Sequence, residues 1–296
     1  MDASAIHPDW ARPRPSVMTD GYSLEITAKD VDALIVAAPA VRPDTPVAIT
    51  FLPGETMDAR IAAAIKVREL GFEPMPHLSA RRFASHDELV AIVERSTREA
   101  GVRRMFLVAG DPPVPVGPFA DTMSLLRTGL FERHGITAIG IAGHPDGHPA
   151  MQGDALWIAL DEKRREIAAR GMATLIVTQF GFDAAPLLAW LGELRARGID
   201  APVRIGVPGP AGIKTLIRYA AHCGVGASAA VMAKYGVSLT RLLGTAGPDR
   251  LVDALAAGIT PAHGAVRLHF YPFGGLARTV EWIVEHDRAA HRGAAT

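Results

Sequence analysis

Eight short runs rich in β-branched and aliphatic residues recur along this chain, separated by longer stretches of helical pattern. The runs are 22–27, 47–52, 73–78, 105–109, 137–142, 175–180, 203–207 and 266–271, and helical patterns fill 57–70, 86–100, 121–132, 156–170 and 186–197. Parallel strands need a crossover between neighbours, so this alternation predicts βα units. Eight such units close into a (β/α)8 barrel, the TIM-barrel architecture of the α/β class. Gly71, Gly101, Gly135, Gly171 and Gly198 follow five of the helices, where a left-handed residue commonly ends a helix. An open doubly wound sheet is the alternative, but no strand runs into a Gly-x-Gly-x-x-Gly turn. The nearest run, 206–212, is interrupted by Pro208 and Pro210. Residues 21–296 are therefore expected to form one barrel domain, with residues 224–258 adding extra helices before the last strand. Residues 1–20, with Pro8, Pro13 and Pro15, read as an extended N-terminal arm.

Composition bounds the function. Of 296 residues, 49% are hydrophobic and 21% charged, which excludes a disordered or collagen-like chain. The 31 Lys and Arg balance 31 Asp and Glu, so the broad basic footprint that nucleic acid requires is missing. Cys223 stands alone, which excludes an internal disulfide framework or a multi-cysteine zinc site and fits a reducing, cytoplasmic compartment. No run of about 18 apolar residues lacks a charge or a breaker, so no membrane span is expected. The start of the chain has no apolar signal-peptide core.

In such a barrel, chemistry sits at the C-terminal ends of the strands. Polar residues collect there: Glu25, Thr50, His77, Asp111, His144, Asp146, His148, Gln179, His269 and Tyr271. Several have plainer readings. His77 alone is more simply a satisfied core histidine, Asp111 before two prolines a turn residue, and Thr50 a β-branched strand residue. Glu25 and Gln179 resist such readings, because a carboxylate or amide within a barrel strand must be compensated. His144, Asp146 and His148 have the residue types of a metal site. Pro145, Gly147 and Pro149 forbid the helix that would put both histidines on one face, so no metal is assigned. Lys29, Lys66, Lys163, Lys214 and Lys234 all fall in helices or loops, which argues against Schiff-base chemistry.

Taken in order, Ser23-Leu24-Glu25, Pro76-His77-Leu78-Ser79, Gly110-Asp111-Pro112-Pro113, His144-Pro145-x-x-His148-Pro149 and Val177-Thr178-Gln179-Phe180-x-Phe182-Asp183 have the spacing found in methylenetetrahydrofolate reductases. Pro208-Gly209-Pro210 and His269-Phe270-Tyr271 extend the match, and the chain resembles that family over about residues 21–287. The resemblance implies a flavoprotein that passes hydride from NADH or NADPH to FAD and on to 5,10-methylenetetrahydrofolate. The product is 5-methyltetrahydrofolate (or the reaction runs in reverse), in the one-carbon metabolism that feeds methionine biosynthesis. Glu25 then matches the general acid and Asp111 a catalytic carboxylate near flavin and pterin. Gln179, Phe182 and Arg278 match folate positions. Thr50, His77, Ala109, Gly110, Asp111, His144, His148, Asp161 and Arg165 match or lie near FAD positions. The chemistry is coherent: N10 must be protonated and leave before the methylene carbon accepts hydride, so the acid must hold its proton near neutral pH.

The departures from the family pattern are specific. Ile26-Thr27-Ala28-Lys29 replaces an aromatic-Pro-Pro loop, Ala109 replaces the Arg of Arg-Gly-Asp, His144 replaces a Tyr, and Ile213 replaces an aromatic. They keep open a flavin-free reductase that uses NADH directly, and a folate- or flavin-binding subunit that needs a redox partner. A metal-dependent hydrolase is more remote. Tetrahydrofolate is the expected partner, with neither nucleic acid nor membrane, and assembly into a homo-oligomer is left open. With the first loop shortened, the arm over residues 6–18, anchored by Trp10, is expected to cover the barrel mouth.

Overall fold

The structure is a computed structural model that describes residues 17–151, 153–226 and 245–293. The aliphatic runs form β1 (Ser23–Ile26), β2 (Pro46–Ile49), β3 (Glu73–Ser79), β4 (Arg104–Val108), β5 (Ala138–Gly143), β6 (Ala173–Phe180) and β7 (Val203–Pro208). The short β8 (Ala211–Gly212) and β9 (Thr245–Ala246) follow, and β10 (Val266–Tyr271) is last. Neighbours around the barrel run β1-β10-β7-β6-β5-β4-β3-β2 and close on β1, all parallel. Closure leaves no sheet edge among these eight strands and gives the expected (β/α)8 architecture. The antiparallel pair β8–β9 stands outside it and has no counterpart in the hydrophobic pattern.

The helices are α1 (Val31–Ala37), α2 (Met57–Glu69), α3 (His86–Ala100), α4 (Thr122–Leu126), α5 (Leu130–Arg133), α6 (Ala155–Ala169), α7 (Ala184–Ala196), α8 (Ile213–Cys223), α9 (Asp249–Gly258) and α10 (Leu276–Gly293). Side-chain oxygens of Thr56, Ser85, Asp121 and Asp183 accept from backbone N–H groups that the first turns of α2, α3, α4 and α7 leave without helical partners. The five glycines expected at helix ends all take positive φ, between 60° and 83°. The single helix expected over 121–132 is instead two. Gly129, at φ 65°, breaks it between α4 and α5. Within 224–258, α9 is the helix described, and residues 227–244 lie outside the described residues.

Of the arm expected over residues 1–20, the structure describes residues 17–20. Residues 1–16 lie outside the described residues, but Met18 and Thr19 are already buried. Thr19 hydrogen-bonds Asp287 on α10, and Arg42 bridges Asp20 at 2.6 Å and Asp287 at 2.5 Å. The Gly21 carbonyl accepts from Arg204 at 2.8 Å. Residues 17–21 therefore pack at the N-terminal end of the strands, opposite the mouth that the arm was expected to cover.

Strand alternation divides the interior from the outer core. Val266, Leu268 and Phe270 pack outward against helices, as do Val203, Ile205 and Val207. Arg267, His269 and Tyr271 on β10, and Arg204 and Gly206 on β7, therefore face inward. Ala48, Met75, Phe106, Ala138, Leu175 and Val177 fill the middle of the barrel. Gly140 makes room for Phe106, since a Cβ there would sit 2.4 Å from the ring. At the bottom Arg204 and Arg267 pair in register. Burial, then the charges of Arg104 and Arg267, push the Arg204 guanidinium down to about 9.

Candidate active site

A cavity of about 800 Å³ opens at the C-terminal ends of the strands, within the size range of small-molecule sites. Glu25 of β1 lies at its floor. Its Oε2 is 3.7 Å from His77 Nε2 on β3 and 3.6 Å from His269 Nε2 on β10, just beyond hydrogen-bond length. His269 is 1% exposed, its Nδ1 lies 2.8 Å from Ser23 Oγ, and its Nε2 has no hydrogen-bond partner among the described residues. Burial pushes His77 down to about 4 despite the opposing pull of Glu25, so its ring is neutral at neutral pH. That ring rests on Phe106 at 4.6 Å, and its backbone carbonyl accepts from Arg60.

Gln179 enters the lining through a bulge. β6 pairs Val177 with Arg204 and next Phe180 with Gly206, so three steps on β6 match two on β7. The interrupted ladder is repaired by side chains. Thr178 Oγ1 accepts from Gly206 N at 2.8 Å, and the Tyr271 hydroxyl donates to the Thr178 carbonyl at 3.1 Å. Position 206 must be glycine, because a Cβ there would lie 2.6 Å from that carbonyl. Burial, reinforced by the charges of Glu25 and Cys223, pushes the Tyr271 hydroxyl well above its usual range, so it stays a donor.

Asp111 stands at the rim after Gly110, whose φ is 94°. Arg82, in the 3-10 turn after β3, donates to Oδ1 from Nε at 3.0 Å and from an η nitrogen at 2.5 Å, and to Oδ2 at 2.7 Å. Burial favours the protonated Asp111, but Arg82 outweighs it and holds the carboxyl below its usual range. The Arg82 and Arg60 guanidiniums lie 5.1 Å and 4.7 Å from the Phe51 ring centroid. Across the mouth Tyr219 stacks on Phe273 at 4.2 Å, and Phe273 meets Phe180 edge-on at 4.8 Å.

His144 borders both this cavity and a second one of about 580 Å³, which Trp157, Lys163 and Trp190 also line. Burial, then the charges of His148 and Lys163, push His144 down to about 4. Burial likewise lowers Lys163.

The structure thus brings Glu25, Thr50, His77, Gly110, Asp111, His144 and Gln179 around one cavity. Six other expected residues are placed elsewhere. Phe182 is buried in the core against Phe180. Ala109 lies outside the lining, its carbonyl accepting from Arg81 N, and His148 sits edge-on beside His144. On α6, Asp161 pairs with Arg164 and Arg165 at 2.6 Å each, and Lys163 is the α6 basic residue that lines a cavity. Residues two apart on a helix do not share a face, so Asp161 and Arg165 cannot join Lys163. Arg278 is exposed in the first turn of α10, where Leu276, Thr279 and Val280 take the buried side. Of the residues expected for a flavin, Thr50, His77, Gly110, Asp111 and His144 line this cavity, and Ala109, His148, Asp161 and Arg165 lie outside its lining.

Phe51, Arg82 and Tyr219 escaped the sequence reading, and His269 and Tyr271, noted at the end of the last strand, were given no role there. Strand parity points His269 and Tyr271 inward once Val266 and Leu268 are known to face out. Nothing in sequence links Arg82 to Asp111, 29 residues on. Among the described residues, no group of three His, Cys, Asp or Glu side chains could hold a metal ion, and no helix is long and apolar enough to cross a membrane.

Comparison with known proteins gives the family and agrees with the fold. A relative from Saccharomyces cerevisiae, methylenetetrahydrofolate reductase 2, is 28% identical over 148 residues, covering 47% of this chain and 24% of its own. Methylenetetrahydrofolate reductase 1 from Schizosaccharomyces pombe is 25% identical over 253 residues, covering 80% of this chain and 40% of its own. Methylenetetrahydrofolate reductase (NADH) 1 from Arabidopsis thaliana is 27% identical over 188 residues, covering 57% and 31%. The matches thus span well under half of those relatives' length. A solved structure shares the fold at TM-score 0.59 and 12% identity, over 92% of this chain and 95% of its own. It is an uncharacterized protein from Clostridium thermocellum that binds two copies of 5-methyl-5,6,7,8-tetrahydrofolic acid. The family model for methylenetetrahydrofolate reductase matches residues 28–275, most of the barrel, and the chain belongs to that family.

Proposed function

We propose that this chain reduces the methylene carbon of 5,10-methylenetetrahydrofolate to a methyl group, with hydride supplied by a nicotinamide nucleotide. The observation that carries the reading is Glu25, held between His77 and His269 at the floor of a cavity large enough for a pterin. In the reaction Glu25 gives its proton to N10, the N10–methylene bond breaks with its electron pair going to N10, and the resulting N5 iminium carbon accepts hydride. The unpartnered Nε2 of His269 is the acceptor that a protonated Glu25 needs, and Ser23 fixes the ring that presents it. Neutral His77 adds no charge that would hold Glu25 ionised. Asp111, kept anionic by Arg82, suits the donor-rich edge of a pterin, and Gln179 lines the same space. Tyr219 and Phe273 offer a flat stacked wall to conjugated rings.

No step is routed through FAD, because four of the residues expected to hold it, Ala109, His148, Asp161 and Arg165, lie outside the cavity lining. Thr50, His77, Gly110 and His144, which do line the cavity, favour a second reading in which a flavin is retained and relays the hydride. NADH as donor and a cytoplasmic setting are part of the proposal. They are supported by the Arabidopsis relative's name and by a single half-buried cysteine. The test is NADH oxidation by the purified chain with and without 5,10-methylenetetrahydrofolate, with the product identified by mass spectrometry. Substrate-dependent oxidation yielding 5-methyltetrahydrofolate is expected. Its absence, with folate still bound, would favour a subunit that needs a redox partner. An absorption band near about 450 nm in the purified protein would establish the second reading.

A further inference from the structure

We infer that Arg82 is a positioning residue that fixes Asp111 as a ligand acceptor at the cavity rim. This rests on the reading of Asp111 as the acceptor for a pterin N–H. The two side chains are unequal: Asp111 is 74% exposed and Arg82 only 22%. An exposed carboxylate on a loop samples several rotamers, and that freedom is lost when a ligand binds. The guanidinium removes that loss in advance by engaging both oxygens through three hydrogen bonds. Two of these fall on Oδ1 and one on Oδ2. A carboxylate has about four acceptor sites, so Oδ2 keeps one for a substrate N–H.

Arg82 is itself held. Its guanidinium lies over Phe51, which lines the cavity, and Arg60 lies over the same ring while donating to the His77 carbonyl. Asp111 is thereby tied through side chains to the strand that carries His77, a neighbour of Glu25. Lysine would not reproduce this, because only the planar fork engages both oxygens. Arg82 and a backbone N–H hold Asp111 down, and His222 of α8 adds to them electrostatically.

The experiment is steady-state kinetics with 5,10-methylenetetrahydrofolate and NADH from about pH 3.5 to about pH 8. The proteins are wild type, Arg82→Met, Arg82→Lys, Asp111→Asn and the double variant Arg82→Met/Asp111→Asn, with the series repeated in a His222→Asn background. Arg82→Met is expected to raise the folate KM about tenfold while kcat changes less than about twofold. The acid limb of 1/KM should move to higher pH, because the lost cation no longer opposes Asp111 protonation. Arg82→Lys should restore part of both, and the double variant should be no worse than Asp111→Asn alone. If Arg82→Met does not fold, as judged by circular dichroism, Arg82→Gln is read in the same way. A wild-type folate KM and acid limb in the Arg82 variant, alongside a raised KM in Asp111→Asn, overturns the inference alone. An unchanged KM in Asp111→Asn overturns the underlying reading of Asp111.

Discussion

Glu25 is the residue on which the proposed chemistry turns. Glu25→Gln keeps the shape of the site and removes the transferable proton. Turnover of the methylene substrate should fall by about 10²–10⁴ while folate affinity stays near wild type. An equal loss of folate binding, measured by equilibrium dialysis, would make Glu25 a binding residue instead. His269→Phe removes the orphan acceptor beside it and should lower kcat by about tenfold with little change in folate KM; an unchanged kcat would separate His269 from the proton step. Glu25 and Gln179 were legible from sequence because a charge or an amide inside a barrel strand has few structural excuses. Arg82 was not, and His269 was visible only as a polar residue at a strand end, since each acquires its role from a partner that only the folded barrel brings near.

At the level of elements, the bulge in β6 sets the site. Thr178→Val would leave the Gly206 N–H buried without an acceptor, a cost of about 1–3 kcal/mol. A lowered melting temperature together with a raised folate KM is expected, because the same bulge carries Gln179. A variant with normal stability and normal KM would show that the ladder repairs itself otherwise. The Thr-Gln-Phe motif was readable in sequence, but the bulge was not, since one extra residue barely disturbs a period-two pattern. α6 shows a related limit. Its composition suggested ligand-facing acid and base, yet a two-residue offset turned Asp161 and Arg165 toward each other and left Lys163 facing a cavity. The strand-and-helix alternation, by contrast, was enough to specify eight parallel strands, because each crossover has only one practical geometry.

Over the whole molecule, two neutral histidines shape the response to acid. His77 and His144 are each held near about 4, whereas the unfolded chain protonates its histidines near about 6.5. Below that value the unfolded state binds more protons than the folded one, so the stability these sites contribute is complete above about pH 6.5 and is lost as pH falls toward about 4. Urea unfolding midpoints should drop across that window, and His77→Gln/His144→Gln should flatten the slope; an unaltered slope would assign the acid response to other groups. The last consequence concerns time. Ser23 and His269 touch across 246 residues, on the two strands that form the closing seam of the barrel. At about 5–20 residues per second a ribosome needs about 10–50 s to pass from one to the other. Through that interval the nascent chain already carries its acid but has no histidine from β10 to receive its hydrogen bond. On the proposed chemistry the site is therefore born inert, and a first turnover would report that the seam has shut.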